Sequence, residues 1–172
     1  MKKLTLSKKS VLIASGGIAG VIVVWLIIAN AISPTTPSSQ EDTKGVSPPF
    51  HAALPKSTPI RDLGGWETKT APSGDTFYAF SDTINGVAIR VSQQALPASF
   101  KTNTSQKIAE LAKGYNATTP LTTDTTSVTA YIGSSARGPQ SVIFAKDDSL
   151  VLIQSEGVIS NAAWATYIAS LR

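Results

Sequence analysis

The order of apolar and polar positions divides the chain into three stretches. Residues 11–32 read VLIASGGIAGVIVVWLIIANAI, apolar on all sides of a helix and free of ionisable side chains. At about 1.5 Å per residue such a helix spans roughly 33 Å, enough for a hydrocarbon core of about 30 Å, so one transmembrane helix is predicted. Residues 33–59 are rich in Pro, Ser and Thr with little aliphatic content. That composition does not offset chain entropy by burial and predicts an extended, flexible stalk. Only residues 60–172 carry the alternations and periodicities of a folded core.

In that last stretch, residues 66–70 and 76–80 are rich in strand formers, and Asn85-Gly86 offers a tight turn. Residues 87–92 then alternate, with Val87, Ile89 and Val91 on one face, which predicts a hairpin. After Pro97, Asn103 or Thr104 caps a helix through Lys113, with Ile108, Leu111, Ala112 and Tyr115 at helical spacing and Gly114 as its stop. A threonine-rich connection leads to a strand near residues 128–132. Residues 140–145 and 150–155 predict a second hairpin across Lys146-Asp147-Asp148-Ser149. Ser160 then caps a terminal helix carrying Trp164, Tyr167, Ile168 and Leu171. The expected fold is α+β: an antiparallel sheet from two hairpins plus flanking strands, with two helices packed on one face. Hairpin-then-helix occurs twice with matching cap-to-apolar offsets, which raises the idea of a ββα pseudo-repeat.

Charge orients the chain. The 172 residues carry a net charge of +4, yet Lys2, Lys3, Lys8 and Lys9 supply all of it. The rest is balanced, so a nucleic-acid partner is not indicated. Lysines before the apolar run place residues 1–10 in the cytoplasm as a basic stub and the domain at 60–172 outside, at a cell membrane crossed once. Ala29-Asn30-Ala31 also fits a signal-peptidase site, and cleavage after Ala31 would make the domain a secreted one. Gly16 and Gly20 form a GxxxG pair through which two membrane helices, and with them a homodimer, can approach.

The inventory of reactive side chains is short. There is no cysteine and one histidine, His51, which sits in the stalk; this removes disulfides, thiol nucleophiles, the Ser–His pair and most zinc sites. Asp147-Asp148 falls at a turn, where aspartate bonds nearby amides. No nucleotide-binding glycine pattern or calcium loop occurs, and no cofactor is expected. Aromatic residues at helical spacing read as core, which leaves Trp66 at the domain entrance and Arg137 in the loop before the second hairpin as candidate ligand or partner contacts. Asn103 and Asn116 head glycosylation-type triplets.

From Gly65-Trp66 through Ile89-Arg90-Val91-Ser92-Gln93 to the closing helix at 164–171, the layout resembles small uncharacterised extracytoplasmic α+β domains of bacterial single-pass membrane proteins, including those on anti-sigma-type proteins. Only ten residues precede the membrane segment here, so a cytoplasmic sigma-binding domain is missing from the pattern. The resemblance implies no catalytic residues. The expected function is non-enzymatic: a membrane-tethered domain that binds an envelope protein, peptide or polymer. The alternatives are an extracytoplasmic hydrolase acting on envelope glycans through two carboxylates, and a structural, self-associating envelope component.

Overall fold

The computed structural model describes residues 45–71, 73–122, 128–135 and 138–172. The expected membrane segment with Gly16 and Gly20, the cleavage site after Ala31, and Arg137 lie outside the described residues. Among the described residues no helix is long and apolar enough to cross a membrane.

Seven strands form one antiparallel sheet: β1 (Glu67–Thr70), β2 (Thr76–Ile84), β3 (Val87–Ala95), β4 (Thr119–Thr122), β5 (Thr129–Ser135), β6 (Gly138–Lys146) and β7 (Ser149–Ser155). Their order is β1-β2-β3-β7-β6-β5-β4. Among the described residues three α-helices accompany them: a short α1 (Ala98–Lys101), α2 (Thr104–Gly114) and α3 (Asn161–Ser170). Both expected hairpins form. Asn85 and Gly86 join β2 to β3 with φ of 51° and 81°, the positive pair that a right-handed strand twist favours at a two-residue turn. Asp147-Asp148 joins β6 to β7, Asp147 at φ 51°. Ser160 caps α3 by accepting the amide of Ala163 at 3.3 Å.

The helices lie on opposite faces of the sheet, which corrects the expectation of one shared face. Trp164, Tyr167 and Ile168 of α3 pack with Tyr78, Phe80, Ile89, Val91, Val142, Phe144, Val151 and Ile153. Ile108, Leu111 and Ala112 of α2 pack with Phe77, Ile143, Leu150 and Leu152. Neighbours along a strand point to opposite faces, so the unbroken runs VIFA in β6 and LVLI in β7 supply both cores at once. Such a run is what a strand covered on both sides requires.

The same fact removes the pseudo-repeat. Strands β3 and β7 are adjacent and antiparallel, and only a two-fold axis normal to the sheet relates such a pair. That operation maps each face onto itself, so duplicated units would put both helices on one side.

Helix α3 touches both β2 and β4. Those strands stand five places apart in the order, which is about 24 Å if flat, whereas a ten-residue helix is roughly 15 Å long. The sheet therefore curls around α3.

The folded unit begins before Ile60, correcting the boundary expected there. Ala53 is buried, its amide donating to Gln93 Oε1 at 2.8 Å while its carbonyl accepts from Gln93 Nε2 at 2.8 Å. Leu54 and Arg172 exchange two backbone bonds of 3.1 and 2.9 Å, and the Lys56 amide donates to the Ser170 carbonyl at 3.0 Å. Ser149 donates to the His51 carbonyl at 2.5 Å. Composition reads this segment as stalk because its partners sit on β3, β7 and the C-terminus, far away in sequence.

Candidate functional site

The two long hairpins zip differently. Pairing of β6 with β7 runs without a break from Lys146↔Ser149 to Gln140↔Ser155. Pairing of β2 with β3 runs from Ile84↔Val87 only as far as Tyr78↔Gln93. Beyond that point Thr76 pairs with Thr70 of β1, while Gln94 and Ala95 pair with Leu150 and Ser149 of β7. The two strands are drawn apart by different neighbours. A tight loop holds the start of β2 to β1: the Ala71 amide donates to the Asp75 carbonyl and the Gly74 amide to the Ala71 carbonyl, both at 2.8 Å. On the other side the Leu96 amide donates to the Asp148 carbonyl at 2.6 Å and keeps β3 with the β6–β7 hairpin. Pro97, which has no amide hydrogen, then turns the chain into α1.

A cleft of about 530 Å³ occupies this fork, within the size range of small-ligand pockets. Thr76 and Ala95 line its two sides, Leu96 and Pro97 its end, and Pro49 and Phe50 the wall supplied by the entering chain. Phe50 stands edge-on to Tyr78 at 5.6 Å between centroids. Tyr78 in turn meets Trp66 at 6.1 Å and 87°, and Trp66 meets Phe80 at 5.6 Å and 76°. The aromatic wall is thus the outer end of a chain of edge-to-face contacts rooted in the core, a stabilising and rigid arrangement. Polar side chains break the apolar lining, among them the hydroxyls of Ser73 and Thr76. Gln94 brings a largely buried amide, and Asp75 an exposed carboxylate that accepts from Ser73 Oγ at 2.8 Å. Asp75 has no ion-pair partner among the described residues.

Those residues singled out from sequence that the structure describes lie elsewhere. Trp66 is 4% exposed; its ring serves the core behind the cleft and offers no face to a ligand. His51 is exposed and contributes its carbonyl rather than its imidazole to structure. Asn103 and Asn116 are on the surface, the latter at φ 54° in the turn that ends α2.

The remaining acids are dispersed. Glu67 is ion-paired with Arg90, and Asp82 accepts from the Tyr167 hydroxyl at 3.0 Å. Glu110 accepts from Gln106 at 2.9 Å and Lys107 at 3.2 Å, and these bonds hold its carboxyl below the ordinary range. Asp148 meets Lys101 at 3.3 Å. A glycosidase pair needs two carboxyl groups about 5–9.5 Å apart across one cleft; among the described residues the fork is lined by one, Asp75. No group of three metal-ligating side chains occurs among the described residues. Burial pushes the phenols of Tyr115 and Tyr167 well above the tyrosine range, the Asp82 charge adding to the effect at Tyr167. Both stay protonated at neutral pH.

Sequence reasoning missed Phe50, Asp75 and Ala95. Phe50 was hidden among prolines, and nothing local marks the point where two adjacent strands separate. The one available signal was Leu96-Pro97 directly after an alternating run, which tells that β3 ends by leaving the sheet. Comparison with protein-family models, curated proteins and solved structures finds no match. The functional reading rests on geometry.

Proposed function

We propose that this chain is a membrane-tethered, extracytoplasmic binding domain of a bacterial envelope, non-enzymatic, with the fork between β2 and β3 as its ligand site. The observation that carries the reading is the fork itself: an aromatic-walled cleft held open by strand pairing on both sides, with a carboxylate that has no ion-pair partner among the described residues. Two further features support it. The wall residues Pro49 and Phe50 belong to the segment through which the chain enters the domain, so the cleft faces the end from which a tether arrives. The apolar run and preceding lysines of residues 1–32 supply that tether by the positive-inside argument. The partner is an envelope protein, peptide or polymer segment that lies against the rings of Phe50 and Tyr78.

The test has two parts. Fractionation of cells expressing the full chain should place it in the membrane at full-length mass, whereas a species beginning at Ile32 in the soluble fraction would replace the tether by secretion. Isotope-labelled full-length protein in detergent should respond to envelope peptides or glycan oligomers with shifts centred on Phe50, Asp75, Thr76 and Ala95. Shifts confined to the far end of the sheet, around Asn85 and Thr166, would move the site to the smaller hollow of about 320 Å³ there.

A further inference from the structure

We infer that the fork takes an extended peptide, paired with the main chain of Ala95 and carrying a basic side chain that meets Asp75. The inference rests on the reading of the fork as the ligand site and names the class of ligand.

The direction of the backbone groups follows from bonds at either end of β3. The Ala88 carbonyl accepts from Glu156 at 2.9 Å, and the Leu96 amide donates to Asp148 at 2.6 Å, both on the β7 side. In an antiparallel ladder alternate residues turn both their N–H and C=O to the same neighbour. Even-numbered residues of β3 therefore face β7, and Ile89, Val91, Gln93 and Ala95 face β2. In β2 the Asp75 carbonyl is used by Ala71 on the β1 side, so Thr76, like Tyr78, faces β3. The register ends at Tyr78↔Gln93. Thr76 and Ala95, the next residues in line, turn their backbone groups toward each other across the cleft without pairing.

Ala95 is exposed. It presents one donor and one acceptor at the spacing that a single residue of an extended chain matches with its own C=O and N–H. That is the chemistry of strand addition, in which main-chain bonds give affinity and flanking pockets read alternate side chains. Pro97 lacks an N–H and closes the edge two residues later, so the paired stretch is short and the rest of the peptide lies on Phe50 and Tyr78.

Charge selects among peptides. Among the described residues the lining holds one carboxylate, Asp75, and no ion-pair partner for it. A Lys or Arg on the peptide supplies the missing partner, and an acidic peptide meets repulsion.

The experiment uses the isotope-labelled full chain in detergent and the synthetic peptide acetyl-Thr-Val-Lys-Val-Thr-amide, with amide exchange and chemical shifts as readouts. At saturation the exchange of the Ala95 amide should slow about tenfold, and methylating the backbone nitrogen of the central peptide residue should weaken binding by about tenfold, as loss of a main-chain bond does. Replacing the peptide lysine by norleucine should weaken binding roughly threefold, and Asp75→Asn should abolish that difference. Ala95→Pro removes the donor that faces the fork; peptide binding should fall while the Leu96 amide stays protected, which shows that β3 still pairs with β7.

Equal binding of the methylated peptide, or a lysine preference that survives Asp75→Asn, would overturn the inference. A tetramer of β-1,4-linked N-acetylglucosamine is titrated in parallel. Shifts at Phe50 and Tyr78 with the sugar and none with the peptide would overturn the peptide assignment while keeping the fork as the site. Silence toward both would remove the site as well.

Discussion

The two long hairpins of this domain look alike in layout, each a pair of strands across a polar two-residue turn, yet one is closed and the other open. The β6–β7 hairpin pairs along the whole of β7 and is buried on both faces, with Val142, Phe144, Val151 and Ile153 against α3 and Ile143, Leu150 and Leu152 against α2. The β2–β3 hairpin pairs from its turn to Tyr78↔Gln93 and then splits, β2 staying with β1 and β3 with β7. The difference separates two jobs. Stability is concentrated where strands are zipped and covered twice. A site becomes available where pairing is withheld and each strand is anchored by someone else.

The sharpest way to break this comparison is to damage the closed hairpin. Phe144 is fully buried, and Phe144→Ala should cost about 3–5 kcal/mol, read as a drop in the denaturant midpoint. Next in size is Gly133→Ala on β5. A Cβ there would sit 1.9 Å from the Asn116 carbonyl oxygen and 2.4 Å from Ala117 Cα. Both obstacles are backbone, so the turn after α2 must lift off the sheet, at a cost of about 3 kcal/mol.

Gln93→Leu links the two regions. It leaves the buried amide and carbonyl of Ala53 without partners, with an expected loss of about 2–3 kcal/mol. Because Ala53 follows the Phe50 wall closely in the chain, the same variant should speed amide exchange in residues 51–54 and weaken any ligand response of the cleft.

Tyr167→Phe tests the turn end of the open hairpin. Removing the hydroxyl that donates to Asp82 should cost roughly 1–2 kcal/mol at neutral pH. Its pH signature has a definite sign. The folded pKa of Tyr167 is raised above the ordinary tyrosine value of 10.0, so the contribution is complete below pH 10 and is lost as pH rises from there toward the folded value. The wild-type denaturant midpoint should fall above pH 10, and more shallowly in Tyr167→Phe. The smallest stability effect is expected for Phe50→Ala at the half-exposed rim, below that of any substitution above, yet this variant should remove most of the ligand response.

Much of the fold was legible in the chain. Val87, Ile89 and Val91 alternate around Asn85-Gly86, and Ile108, Leu111 and Ala112 follow helical spacing, because these elements bury a stripe or face set by neighbours a few residues away. What escaped was set by distant partners. Strand β4 reads TPLT between threonines and looks like a connection; it is an edge strand, where proline's missing donor is tolerated. The opposite placement of α2 and α3 is encoded in LVLI, a continuous apolar run that supplies both cores. The stalk boundary failed at Ala53, held by Gln93 forty residues on. The candidate site was the least legible part. Phe50 and Ala95 share a cleft only because Asp75 and Asp148 pull β2 and β3 apart, and no local pattern carries that information.

The central claim is that the β2–β3 hairpin is open at Ala95, and amide hydrogen exchange of the unliganded full chain tests it most directly. The account predicts slow exchange at Gln93, paired with Tyr78, and at Leu96, bonded to Asp148, with fast exchange at Ala95 between them. An Ala95 amide protected as strongly as its two neighbours would mean that the hairpin closes in solution, and the fork would not be a site.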